Sequence, residues 1–172
     1  MKKKIFILLT VILFAAFAIT VGVYLSNKSV DQDGNKTETN VAKIFDDYYN
    51  ARVQNVGNNS KVINLINVLG AGDLGEYTIA LQTKTKPYGL SILYSKLKNG
   101  VEAKLKTLGR IDYAFYALAL IDNLSTVNIK YKTFNYELTL DEANKIIGGN
   151  IKDYGKSADK LKELYEKLNP ED

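Results

Sequence analysis

Residues 5–26 carry no charge, and residues 5–25 are almost wholly apolar. At a rise of about 1.5 Å per residue, such a run crosses a hydrocarbon core of about 30 Å. Lys2, Lys3 and Lys4 precede it, and Asp31, Asp33 and Glu38 follow. That distribution predicts a single transmembrane helix with a cytoplasmic N-terminus and an exported remainder. Ala16-Phe17-Ala18 also resembles a signal-peptide cleavage site, but residues 19–25 stay apolar where a cleavage region turns polar. The continuation favours an uncleaved anchor over 1–28, and both readings export the domain.

Beyond the anchor the pattern changes twice. Residues 29–40, SVDQDGNKTETN, hold one apolar side chain and read as a flexible linker. Asp31 to Asn35 opens like a calcium loop, but the glycine stands fourth rather than sixth and the twelfth residue is Ala42. From 41 to 172 the apolar positions become periodic. Residues 41–53 read as a helix with Ile44, Tyr48 and Tyr49 inward. Ser60 is placed to cap a second helix carrying Val62, Leu65, Ile66 and Leu69 on one stripe, stopped by Gly70. Alternation predicts strands over 76–83, with Tyr77, Ile79 and Leu81 on one face, and 89–95, with Leu90, Ile92 and Tyr94. Residues 101–124 read as one long helix whose second half is apolar nearly all round, hence buried.

A second hairpin turns at Lys132-Thr133. Tyr131 pairs with Phe134, Ile129 with Tyr136 and Val127 with Leu138, all on one face, while Asn128, Lys130, Asn135 and Glu137 share the other. Thr139 and Glu142 have capping-box spacing and open a helix to Ile147. Ser157 opens the last helix, striped by Leu161, Leu164, Tyr165 and Leu168. The expected fold class is α+β: an antiparallel sheet of about four strands, as two hairpins, on a central buried helix with flanking helices.

Composition narrows the chemistry. The chain has no Cys, His or Trp. Disulfides, thiol nucleophiles, a lipidated Cys, the usual zinc sites and the usual neutral-pH general base are therefore absent together. Carboxylate and Tyr chemistry remain, and no nucleophile–base constellation is visible, so neither catalytic residues, metal nor cofactor is expected. Of the net +4, five of 23 basic and three of 19 acidic residues precede position 41, leaving only +2 on the domain. Bulk charge gives no case for nucleic acid.

Candidate sites are few. Residues 70–75 spell G-x-G-x-x-G, but that fingerprint needs a strand before it and a helix after it, and here the order is reversed. Asp141 and Glu142 belong to the capping box. Asp46 and Asp47 neighbour one another on a helix, where successive side chains diverge by about 100°. Asp122-Asn123 closes the most apolar helix, where a negative charge opposes the dipole. The expected role is a buried polar clamp in which Asn123 satisfies orphan carbonyls and the following turn, with a ligand site as the alternative. Residues 84–110 hold Lys84, Lys86, Lys96, Lys98, Lys104, Lys106 and Arg110 against Glu102 alone. This is either a solvated face or a patch for an anionic envelope polymer or lipid headgroup. The candidate ligand-binding set is Lys84, Lys86, Tyr88, Lys104, Lys106, Asp122 and Asn123.

Four stretches carry a family resemblance: Gly57-Asn58-Asn59-Ser60-Lys61-Val62, Leu81-Gln82-Thr83, Lys86-Pro87-Tyr88-Gly89-Leu90, and Ala119-Leu120-Ile121-Asp122-Asn123-Leu124. In order and spacing they resemble the bacterial domain of unknown function catalogued as number 4825, over residues 53–168. Asn55, Leu69-Gly70 and Leu140 depart from its pattern. The resemblance implies kinship with exported or lipid-anchored proteins of Gram-positive bacteria and with the extracellular ends of BlaR1-like sensor peptidases, with no catalytic roles to carry over. The expectation is a non-enzymatic extracytoplasmic binding or sensory module at the cell membrane, partnered by the bilayer through 5–25 and by an anionic envelope polymer or membrane protein. The alternatives are a carboxylate-dependent hydrolase and a structural partner of a neighbouring membrane protein.

Overall fold

A computed structural model describes residues 36–102 and 111–170, with side chains from residue 43 onward. The chain divides into two compact units, Met1–Thr37 and Glu38–Asp172. The described elements belong to the second, apart from the first two residues of the first helix. Among the described residues no helix is long and apolar enough to cross a membrane. The apolar segment 5–25 lies outside them, as do residues 29–35 of the linker.

Helix α1 runs Lys36–Asn50. It therefore takes in the last five residues expected to be linker, since the nearest helix breaker in sequence is Gly34. Phe45, not Ile44, is its buried anchor, and Tyr48 and Tyr49 are half-buried. The Phe45 and Tyr48 rings meet edge to face at 6.0 Å, and Tyr48 meets Tyr116 at 5.4 Å. Helix α2, Asn59–Val68, buries Val62, Leu65 and Ile66. Its cap is Asn58 rather than Ser60, the Asn58 carboxamide oxygen accepting from the Lys61 N–H. Gly70, at φ 83°, turns the chain left-handed into the one-turn helix α3, Ala71–Leu74.

Strands β1, Gly75–Gln82, and β2, Gly89–Leu97, form the first hairpin, with a loop containing a cis Lys86–Pro87 peptide. Strands β3, Thr126–Tyr131, and β4, Phe134–Thr139, form the second. Its register agrees with the sequence: Tyr131 opposes Phe134, Ile129 opposes Tyr136 and Val127 opposes Leu138. Lys132 takes the left-handed conformation at the turn, φ 51°.

The sheet order is β1-β2-β3-β4, but β2 and β3 run parallel. The sheet is therefore mixed, not antiparallel throughout. The cause is the connection: residues 98–125 separate the hairpins, enough chain for the crossover that parallel neighbours require. The two central strands bury Leu90, Ile92, Val127 and Ile129, which lie in register across the parallel pair.

The long helix expected over 101–124 is not continuous. Ile111 is extended, at φ −126° and ψ 104°, and only Asp112–Leu120 forms the buried helix α4. At the far end Ile121 is extended too, because Val53 pairs with it as a short parallel bridge. The Val53 N–H donates to Leu120 at 2.9 Å and the Asp122 N–H donates to Val53 at 3.0 Å. Those two bonds draw the chain out of helix. Within α4, every residue from Tyr113 to Leu120 is buried. Helices α5, Leu140–Ile147, α6, Ile151–Tyr154, and α7, Ala158–Leu168, complete the layer. The Thr139–Glu142 capping box and the Ser157 cap form where the spacing places them.

Candidate functional site

Two places gather polar side chains from distant parts of the chain. The first is the C-terminal end of α4. An α-helix leaves its last carbonyls without partners, and inside a core such groups must be satisfied. Lys152, in the one-turn helix α6, reaches under this end. Its Nζ donates to the carbonyls of Leu118 at 2.5 Å, Ile121 at 2.7 Å and Leu124 at 2.8 Å. An ammonium has three N–H donors, and all three are used. A cation there also matches the negative end of the helix dipole. Burial pushes Lys152 down to about 8, with the Asp122 carboxylate acting in the opposite direction.

The exposed side of the same loop is held by a second set of bonds. The Arg52 guanidinium forks onto the Asp122 carboxylate, Nη2 donating to Oδ1 at 2.9 Å and Nε at 3.1 Å. Asn123 Oδ1 accepts from the Val56 N–H at 2.8 Å, and its Nδ2 donates to Asn55 Oδ1 at 3.3 Å. Asp122-Asn123 is thus a clamp, but not a buried one, since Asp122 is exposed and Asn123 half-buried; Asn123 fastens the 55–56 loop and Lys152 takes the helix carbonyls. Sequence reasoning missed Lys152. The signal was the carboxylate at a helix C-terminus, which called for a cation nearby.

The remaining candidates that are described do not converge on one place. Lys84 and Lys86 are exposed in the β1–β2 loop, and Tyr88 is half-buried at its end. The Tyr88 carbonyl accepts from the Ser125 and Thr126 N–H groups at 3.0 and 3.2 Å, which joins the loop to the start of β3. Lys96 and Lys98 lie at the opposite end of β2, about 25–30 Å away at strand rise. Lys98 stands 3.9 Å from Asp73. Lys104 and Lys106 lie outside the described residues. In the G-x-G-x-x-G stretch, α2 precedes and β1 follows. There Gly75 serves close approach, since a Cβ on it would meet the Lys96 carbonyl at 2.0 Å.

The second place is an open groove of about 600 Å³ between α2 and β1, lined by Asn59, Ile63, Asn67, Gly75, Glu76, Tyr77, Thr78 and Ile79. The Tyr77 hydroxyl donates to Asn67 Oδ1 at 2.5 Å and ties helix to strand. Behind it, the buried Tyr94 hydroxyl donates to the Ala71 carbonyl at 2.9 Å. That uses its one proton, so the Tyr113 hydroxyl, 3.2 Å away, is the donor between the two phenols. Burial pushes Tyr94 up to about 12 and Tyr113 higher still. Among the described residues no group of three or more carboxylates is placed to hold a metal ion.

Residues 48–141, more than half the chain, match the family described as Domain of unknown function (DUF4825). The chain belongs to that family. The matched stretch runs from the end of α1 into the first turn of α5, so it includes the groove, Arg52, Asp122 and Asn123. Lys152 falls beyond it. No curated protein and no solved structure matches the chain.

Proposed function

We propose that this member of the DUF4825 family is a membrane-anchored, extracytoplasmic binding or sensory module that carries out no chemistry of its own. On this reading residues 5–25 hold the chain in the bilayer with the N-terminus in the cytoplasm, and the α+β domain faces the cell envelope. One observation carries it. Lys152, Arg52, Asp122 and Asn123, the polar side chains that converge most tightly, are bonded to backbone and to each other. The surface left open to a ligand is instead a groove of polar and apolar groups beside a sheet edge, with Glu76 the single charge among its lining residues. Such a surface suits recognition rather than acid–base or nucleophilic chemistry. Lys84 and Lys86 at the hairpin tip are the proposed contact for an anionic envelope polymer.

The test is a thermal-shift series on the full chain in detergent micelles, against wall teichoic acid, muropeptides, β-lactams and divalent cations. A ligand that binds only the folded state raises Tm progressively with its concentration. Turnover of a muropeptide, abolished by replacing a single carboxylate, would overturn the reading in favour of a hydrolase.

A further inference from the structure

The groove identifies its occupant by the bonds it offers. Strand β1 is the outer strand of the sheet, so alternate N–H and C=O groups along it point away from β2, and among the described residues no strand meets them. Natural edge strands are usually blunted by charge, proline or a bulge. Pairing between β1 and β2 is irregular only between Glu76 and Tyr77, and from Tyr77 to Gln82 the strand is regular and carries neither charge nor proline. A row of main-chain donors and acceptors at strand spacing is complementary to another extended backbone.

The side chains beside that edge say more. Ile63 is one of two large apolar side chains exposed among the described residues, and it stands over the groove with half-buried Ile79 and Tyr77. Glu76 is the only charged residue among those lining it. A second copy of this chain fits poorly. A two-fold pairing of β1 with β1 would set one groove against another, and a concave surface does not fill itself. A single strand does.

We propose, building on the binding-module reading, that the groove between α2 and β1 captures an extended peptide segment of another protein by strand addition. The segment places apolar side chains on Ile63, Tyr77 and Ile79, and a basic side chain opposite Glu76.

The test uses the full chain in detergent micelles and a fluorescent octapeptide that alternates valine with threonine, one threonine replaced by lysine. Saturable binding by anisotropy is expected. Affinity falls roughly fivefold when glutamate replaces the lysine, the scale of one cross-strand charge pair. Glu76→Lys inverts that preference, Ile63→Arg abolishes binding, and N-methylation of alternate amides in the peptide abolishes it too. Both substitutions are at exposed positions, and unchanged Tm confirms the fold. If Glu76→Lys fails to fold, the Ile63→Arg and N-methyl arms decide.

Four results would overturn the proposal: no binding, equal binding of the N-methylated peptide, a charge preference indifferent to Glu76→Lys, or a wild-type dimer in sedimentation that Ile63→Arg dissociates. That last outcome would make a second copy the occupant. If no peptide binds but an envelope ligand still raises Tm, with or without Ile63→Arg, the binding-module reading stands and strand addition fails.

Discussion

Lys152 Nζ lies 2.7 Å from the carbonyl oxygen of Ile121, a residue 31 positions earlier in the chain. The same ammonium holds the carbonyls of Leu118 and Leu124, so one side chain closes the end of the most deeply buried helix. Lys152→Met keeps the length and the apolar stem but leaves the Leu118 and Leu124 carbonyls without this donor and Ile121 with the Leu124 N–H alone. A loss of about 2–4 kcal/mol follows from unsatisfied buried carbonyls. Urea unfolding of the full chain would show a lower midpoint with the slope unchanged. A loss under about 1 kcal/mol would mean that water replaces the ammonium.

The ion pair on the opposite side of that loop is a weaker matter. Arg52 and Asp122 have side chains 38% and 39% exposed, so solvent screens most of their attraction. A double-mutant cycle with Arg52→Ala and Asp122→Asn should give a coupling of about 0.5–1 kcal/mol, shrinking with added salt. Arg52→Lys should lose most of it, because lysine cannot make the forked contact with both carboxylate oxygens.

Leu118 has no exposed surface and sits in the last turn of α4. Leu118→Ala removes that packing and leaves a cavity, which costs about 2–5 kcal/mol. A loss below about 1 kcal/mol would place α4 at the edge of the core rather than its middle.

These residues also mark what was legible before the fold was known. The β3–β4 register, the Thr139 capping box and the burial of α4 follow from local periodicity and cap chemistry, which act over a few residues. What was hidden depends on partners distant in the chain. The parallel pairing of β2 with β3 comes from the length and path of a crossover. The break at Ile121 comes from a bridge to Val53. The Lys152 clamp depends on how a one-turn helix docks. The groove was equally hidden, because its Ile63 and Ile79 belong to two elements whose own patterns show only that each has an inner face.

Gly155 is a further long-range dependence. It is buried, and a Cβ built on it would lie 2.0 Å from the Ala119 carbonyl oxygen. The φ of −81° suits any residue, so close approach alone demands glycine. Gly155→Ala should push α6 off α4 and loosen the Lys152 contacts with it. The expected loss is about 1–3 kcal/mol, the range for overpacking a tight core. Non-additivity with Lys152→Met in a double mutant would show that both act on the same docking.

The buried phenols make stability sensitive to alkali. Tyr94, raised to about 12 by burial, and Tyr113, raised further, hold their protons more tightly when folded than the ordinary phenol at 10.0 does. Between pH 10 and 12 the folded state therefore binds more protons than the unfolded one, and stability falls as pH rises. Their contribution is complete below pH 10 and, for a shift of this size, amounts to about 2–3 kcal/mol for Tyr94. Lys152 works in the other direction, its stability term rising with pH between about 8 and 10.5 as the amine loses its proton. Above that window the phenols dominate. Alkaline titration followed by phenolate absorbance and by circular dichroism should show exposed tyrosines ionising first, with Tyr94, Tyr113 and Tyr48, which burial also raises to about 12, ionising only as helical signal is lost. Tyr113→Phe removes one of these groups while Tyr94 keeps its bond to Ala71, so the alkaline midpoint should move upward. If all 12 tyrosines of the chain ionise near the ordinary value with the fold intact, the Tyr94–Tyr113 pair is open to water.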